Sequence, residues 1–219
     1  MKRRIISFLL AAVILLGTVV ITTPGVAAAS KKTTSTAAIA LIKAFEGFSA
    51  KPYKDGNQWT VGYGTECPDE KYEEYFTKGI SAEAAEALLQ EALKSFETRL
   101  NKFIDDNGLS LSQHQFDALI SFTYNVGTAW MNDSSATIYK AVKNKYTGSD
   151  MIFALTQWCT ITKDGEKVMQ TGLVNRRLIE ANLYLNGVYS KQPPERRVRR
   201  LTEFVLLTAG YRSCRRCLH

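Results

Sequence analysis

Along most of the chain the apolar residues recur at the three-and-four spacing of an α-helix, and that period breaks once, early. Between Ala50 and Thr65 the spacing shortens to two: Trp59, Val61 and Tyr63 alternate with smaller residues, and glycines stand at 56, 62 and 64. One hairpin set among helices gives an α+β architecture, a helical body with a small β lobe near its beginning. A first helix is predicted from about Ser35 to Glu46, where Ile39, Ile42 and Phe45 share a face and Gly47 supplies a C-terminal stop. A long helix opens at Ser81 and carries Leu88, Leu89, Ala92, Leu93, Phe96, Leu100 and Phe103 inward. The run Ser112-Gln113-His114-Gln115 is a capping box for the next helix, with Phe116, Leu119, Ile120 and Tyr124 facing the core and Gly127 closing it. Two further helices are expected near 135–145 and 150–160, and a last one from about Gly172 to Asn186. Lys31–Ser35 reads as a flexible lead-in, and residues 66–79, rich in charge and turn formers, as an irregular lip.

With 219 residues the chain can bury one core of moderate size without staples. Residues 1–29 stand apart from it. Lys2, Arg3 and Arg4 precede an apolar run from Ile5 to Ile21, and Ala27-Ala28-Ala29 offers a small-residue cleavage site before Ser30. This is the pattern of a secretory signal, with a signal-anchor as the alternative. The formal charge of +7 is unevenly placed. From Lys191 onward eight basic residues meet two acidic ones, so residues 30–190 carry about −2 by themselves. A nucleic-acid binder is disfavoured, because only the tail is basic. That tail, residues 191–219, begins at a Lys-Gln-Pro-Pro boundary. It fits either a short apolar-basic helix in contact with an anionic wall or membrane surface, or an appendage without a fold.

Two carboxylates flank the break in period. Glu46 ends the first helix, and Asp55 follows nine residues later before the turn Gly56-Asn57. A carboxylate at the negative pole of a helix, near Phe45 and Phe48, is disfavoured in its charged form, whereas one at an open hairpin edge is kept ionised by water. One protonated and one ionised carboxyl across a cleft is the requirement of glycoside hydrolysis. Taken alone, the same residues also fit a surface helix end and an ordinary turn. Arg176 and Arg177 near the start of the last helix oppose its macrodipole, which suggests another purpose; Arg177 can pair with Glu180 on its own helix. His114 reads as a solvated residue in a first helical turn, and no metal-ligand set or cofactor motif is present in the sequence.

The run Glu46-Gly47 … Tyr53-Lys54-Asp55 … Trp59-Thr60-Val61-Gly62-Tyr63-Gly64 resembles the active-site signature of phage-type lysozymes, the endolysins of glycoside hydrolase family 24. Leu119–Gly127 and Gly172–Arg177 resemble that family's two other motifs, in the same order. The resemblance runs from about Thr36 to Tyr189. It implies a lysozyme-like fold in which the long helix joins the β lobe to the helical lobe, and an exported muramidase that acts on peptidoglycan as a monomer without a cofactor. It implies Glu46 as general acid, and Asp55 with Thr60 as the groups that position the attacking water. Asn125, Tyr63 and Arg176 follow as supporting residues, with Asn125 lining the sugar cleft and Arg176 pairing with Glu46. The Asp-to-Thr spacing is one residue shorter than the family's, and Thr65 stands where many members have His. A lytic transglycosylase and a non-catalytic wall-binding protein are the rival readings. The four cysteines allow three pairings, of which Cys67–Cys159 with Cys214–Cys217 is the neatest.

Overall fold

The computed structural model describes residues 31–163 and 165–192. The readings of residues 1–29, of Cys214 and Cys217, and of the tail beyond residue 192 lie outside the described residues.

The first helix, α1 (Thr36–Glu46), leads into a three-stranded antiparallel sheet of β1 (Ser49–Asp55), β2 (Gln58–Gly62) and β3 (Thr65–Glu66), in that spatial order. A 3₁₀ turn and a short helix α2 (Tyr72–Lys78) follow, then the long α3 (Ala82–Asp106). The helical lobe holds α4 (Gln113–Val126), α5 (Thr137–Lys143), α6 (Gly148–Thr156) and α7 (Thr171–Asn186). Between α6 and α7 lies a second hairpin, β4 (Thr160–Lys163) and β5 (Glu166–Met169). The expected α+β, lysozyme-like architecture is therefore present, with more regular structure than the sequence pattern announces. The 66–79 segment is not irregular: Tyr72 packs on Trp59 at 4.7 Å between ring centroids, and this contact gives α2 a surface to form against. The second hairpin escapes the period analysis because its residues are nearly all exposed and show no two-fold burial pattern.

α3 is 25 residues long, and at about 1.5 Å per residue it spans roughly 37 Å, enough to tie the β lobe to the helical lobe. Ser81 caps it by accepting from Ala84 N at 3.2 Å. Ala85, Leu89, Leu93, Leu100 and Phe103 form its buried stripe. α4 is the central element. Its eight successive residues Phe116 to Thr123 are all buried, so it is covered on every side, and its capping box is formed by Ser112 and Gln115. The polar members of that run are each satisfied. Thr123 accepts from Trp130 Nε1 at 3.1 Å. Asp117 accepts from Ser35 N at 3.1 Å, from Ser35 Oγ at 2.6 Å and from the Tyr189 hydroxyl at 2.6 Å. Ser35 is itself the N-cap of α1, accepting from Ala38 N at 3.2 Å. A single buried carboxylate thus fixes the start of the helix whose other end carries Glu46.

The lead-in is also held rather than flexible. Lys32 exchanges two hydrogen bonds with the Asn101 side chain, at 3.0 and 2.8 Å, and Thr34 N donates to Glu97 Oε1 at 2.7 Å. His114 is half-buried, with Nδ1 at 3.1 Å from the Leu183 carbonyl and the ring against Gly187, so it joins α4 to the end of α7 instead of facing water. Cys67 and Cys159 are not bridged to one another. One follows β3 in the small lobe and the other follows α6 in the helical lobe, where its thiol donates to the Thr156 carbonyl at 2.8 Å. Burial pushes the Cys67 thiol above its ordinary pKa, the state of a packing residue rather than a reactive one.

Candidate active site

Glu46 is the last residue of α1, and Gly47 (φ 73°) turns the chain away into the sheet. One carboxylate oxygen, Oε1, accepts from Arg176 Nη1 at 2.8 Å, which is the pairing the resemblance implies. The other, Oε2, lies beside Gly64, where a Cβ would stand 3.5 Å from it and 3.6 Å from the Tyr124 hydroxyl. The Glu46 side chain is 21% exposed, so it meets solvent on one side and protein on the other.

Arg176 is held from several directions. Its Nε donates to Glu180 Oε1 at 3.1 Å, its Nη2 to the Ser121 carbonyl at 3.2 Å, and its Cζ lies 4.7 Å from the centre of the Phe45 ring. Both arginines sit in the second turn of α7, since the helix begins at Thr171. The unfavourable macrodipole placement read from the sequence is therefore absent, and the reason for two basic residues here is Glu180. Arg177 is fully buried, with Nε 3.2 Å from Glu180 Oε2, Nη2 bonded to Asn125 Oδ1, and Cζ 4.9 Å from the Phe122 ring centre. The Arg177–Glu180 contact is at ion-pair distance but out of hydrogen-bonding alignment, and Arg177 Nη1 also lacks a partner. Burial draws the Arg177 pKa down, opposed by the Glu180 charge.

Asp55 ends β1 and pairs with Gln58 across the two-residue turn Gly56-Asn57, where Gly56 takes φ 58°. It is exposed, as the turn signal predicts. Tyr53, two residues back on β1, feels both carboxylates. Burial raises its pKa first, then the charges of Asp55 and Glu46, so the phenol lies within the field of the two acids. Tyr124 of α4 is raised in the same way by burial and by Glu46, and its hydroxyl donates to the Tyr63 carbonyl at 2.9 Å.

Three of the sequence-predicted residues take positions the pattern does not give. Thr60 lies in β2, opposite Tyr53 and between half-buried Trp59 and buried Val61. It is 1% exposed and its Oγ1 is closed from solvent without a hydrogen-bond partner. The expected alternation along β2 fails because Thr60, Val61 and Gly62 are all covered, one face by α3: a Cβ at Gly62 would come within 2.7 Å of the Ala85 Cβ. Tyr63 turns its ring to Phe48, at 5.4 Å between centroids, and to the Lys43 ammonium at 4.9 Å, and contributes to the site through its carbonyl. Asn125 is in the last turn of α4, two residues before its C-cap, Gly127. Its Oδ1 accepts from Arg177 Nη2, and the residue lines a cleft of about 820 Å³ with Asp133, Gln157, Trp158, Lys167 and Leu173; Glu46, Asp55 and Thr60 are not among that cleft's lining residues. A second depression of about 430 Å³, beside α3 and Tyr139, shares no residue with it.

Sequence reasoning missed Tyr124 and Gly64 as neighbours of Glu46, and Ser121 as a partner of Arg176 and Glu180. Their signal was present only as a helix face and a glycine-rich strand, and it became specific when α1, β2 and α4 met. Among the described residues, no group of three or more His, Cys, Asp or Glu side chains is arranged to hold a metal ion.

Residues 43–180 match the family model for phage lysozyme. The chain is 36% identical over 154 residues to an endolysin of Bacillus phage PZA, covering 69% of this chain and 54% of that protein. It spans about half the length of the Bacillus phage endolysins it matches. Among solved structures, an endolysin from Escherichia coli O157:H7 phage FAHEc1 superposes with a TM-score of 0.63 at 35% identity, covering 73% of this chain and 97% of that one. The muramidase domain of SpmX from Asticaccaulis excentricus gives a TM-score of 0.59 at 26% identity, with 70% and 98% covered.

Proposed function

The chain belongs to the phage lysozyme family, and on that premise we propose that it hydrolyses bacterial peptidoglycan, cutting the β-1,4 bond between N-acetylmuramic acid and N-acetylglucosamine. The observation that carries this reading is the pair of unlike carboxylates: Glu46 held by Arg176 at a helix end, and exposed Asp55 at a hairpin tip, with the Tyr53 phenol in the field of both.

In the proposed reaction Glu46 gives its proton to the leaving glycosidic oxygen, a role suited to a half-covered carboxyl. Asp55, exposed at the hairpin tip, orients a water on the opposite face of the sugar and takes its proton. Thr60 supplies a second hydrogen-bonding group for that water. Its Oγ1 has unused capacity, and it must be uncovered as the sugar enters. Such a scheme inverts the anomeric carbon and needs roughly 6.5–9.5 Å between the carboxyls; about 5–5.5 Å would instead favour a covalent intermediate. The Asn125 amide, at the edge of the larger cleft, donates to the saccharide. Export through residues 1–29 would bring the chain to its substrate, and N-terminal sequencing of protein from the culture medium tests it.

The deciding assay is reducing-sugar release from purified peptidoglycan by the full chain beside its Glu46→Gln variant, with proton NMR of the first-formed anomer. Release by the wild type alone, with inverted product, supports the scheme. Anhydro ends would mean a transglycosylase, and saccharide binding without cleavage would mean a wall-binding protein.

A further inference from the structure

A carboxylate removed from water persists only where its charge is compensated. Glu180 is such a group, fully buried on α7. Its Oε1 accepts from Arg176 Nε at 3.1 Å and from Ser121 Oγ at 2.8 Å, while its Oε2 stands 3.2 Å from Arg177 Nε. Arg176 divides its guanidinium between this carboxylate, the Ser121 carbonyl and Glu46 Oε1. Glu46 and Glu180 therefore draw on one cation.

We propose that Glu180 is a positioning residue for the reaction: by sharing Arg176 with Glu46, it limits how firmly that arginine holds Glu46 in its charged form. The inference rests on Glu46 being the proton donor. An arginine that faced Glu46 alone would favour the carboxylate and so oppose proton donation. With Glu180 on the same guanidinium, part of that positive field is cancelled before it reaches Glu46, in surroundings that screen charge poorly. Arg177 balances the second carboxylate, so the four groups are neutral together when Glu46 is ionised. The other groups facing Glu46 are Tyr124 from α4 and, from β1, Tyr53, with Asp55 beyond it. Lys43, on α1 itself, is engaged by Glu86 of α3.

The test is a carbon-13 NMR titration of the Glu46 carboxyl in the full chain and in Glu180→Gln, with the pH profile of kcat/KM on peptidoglycan measured in parallel. Loss of the Glu180 charge leaves Arg176 wholly to Glu46, so the Glu46 midpoint falls by about one unit and the alkaline limb of the profile moves down with it. If Glu180 served only to anchor Arg176, the freed arginine would swing away and the midpoint would rise; a rise, or no change, overturns the proposal. A wild type that cleaves nothing defeats the hydrolase reading, while the titration still decides whether the cation is shared. Should Glu180→Gln fail to fold, Ser121→Ala carries the test with the opposite sign. Without the serine hydroxyl, Glu180 Oε1 turns fully to Arg176 and the Glu46 midpoint rises; an unchanged or lowered midpoint overturns the inference.

Discussion

The helix end and the hairpin tip support their carboxylates in different ways. On the helical side Glu46 is one member of a cluster of two acids and two arginines, of which Arg177 and Glu180 are wholly buried and Arg176 nearly so. On the hairpin side Asp55 is supported by water and by a glycine turn. Buried charges are stable only as a set, because removing one leaves another desolvated without compensation. A solvated charge answers to no such set. Chemistry and stability are therefore joined on the helical side and separable on the hairpin side.

The comparison breaks most visibly at Glu46. Glu46→Gln keeps the shape of the side chain and should lower reducing-sugar release by about 10²–10⁴-fold, the worth of a positioned proton donor. Arg177→Met should cost about 3–5 kcal/mol in urea-unfolding experiments, because it removes the cation facing Glu180 Oε2 and leaves the carboxylates of Glu180 and Glu46 to share Arg176; a loss below about 1 kcal/mol would show that the pair is already solvated. Gly62→Ala probes the sheet against α3. Its Cβ would meet the Ala85 Cβ at 2.7 Å and its φ is 67°, so a loss of about 1–3 kcal/mol is expected. Asp55→Asn should shift the unfolding midpoint least, by within about 0.5 kcal/mol, while strongly reducing hydrolysis. Equal stability losses for Asp55→Asn and Arg177→Met would erase the distinction between the two sides.

A pH experiment sharpens the contrast from the helical side. Burial pushes the phenols of Tyr184 and Tyr189 up to about 12, from an ordinary value of 10.0. Between those values the unfolded chain gives up protons that the folded chain retains, so stability is complete below pH 10 and declines as the pH climbs towards 12. Thermal melts across that window should show the decline, and Tyr184→Phe should flatten it.

The helices were legible because burial imposes a period on the residues that do it. Ser81 and Ser112 announced their caps, and the stripe from Leu89 to Phe103 announced α3. The hairpin was legible for a different reason: Gly56-Asn57 can turn where other pairs strain. What stayed hidden are elements that form for a partner's sake. α2 exists against Trp59, and the lead-in is held by Asn101 and Glu97, contacts made across 63 to 69 residues of sequence.

The candidate site divides along the same line. Its two carboxylates, its glycines and its order along the chain are properties of local sequence, because caps and turns are decided within a few residues. The position of Arg176 on Glu46, the covered hydroxyl of Thr60, the ring of Tyr63 turned to Lys43, and the capture of Asn125 by Arg177 belong to the tertiary structure. Thr60 is covered by the packing of β2, and the others are settled by the partners a charged side chain meets once α1, β2, α4 and α7 have packed; a side chain carries no record in the sequence of the partner it will find.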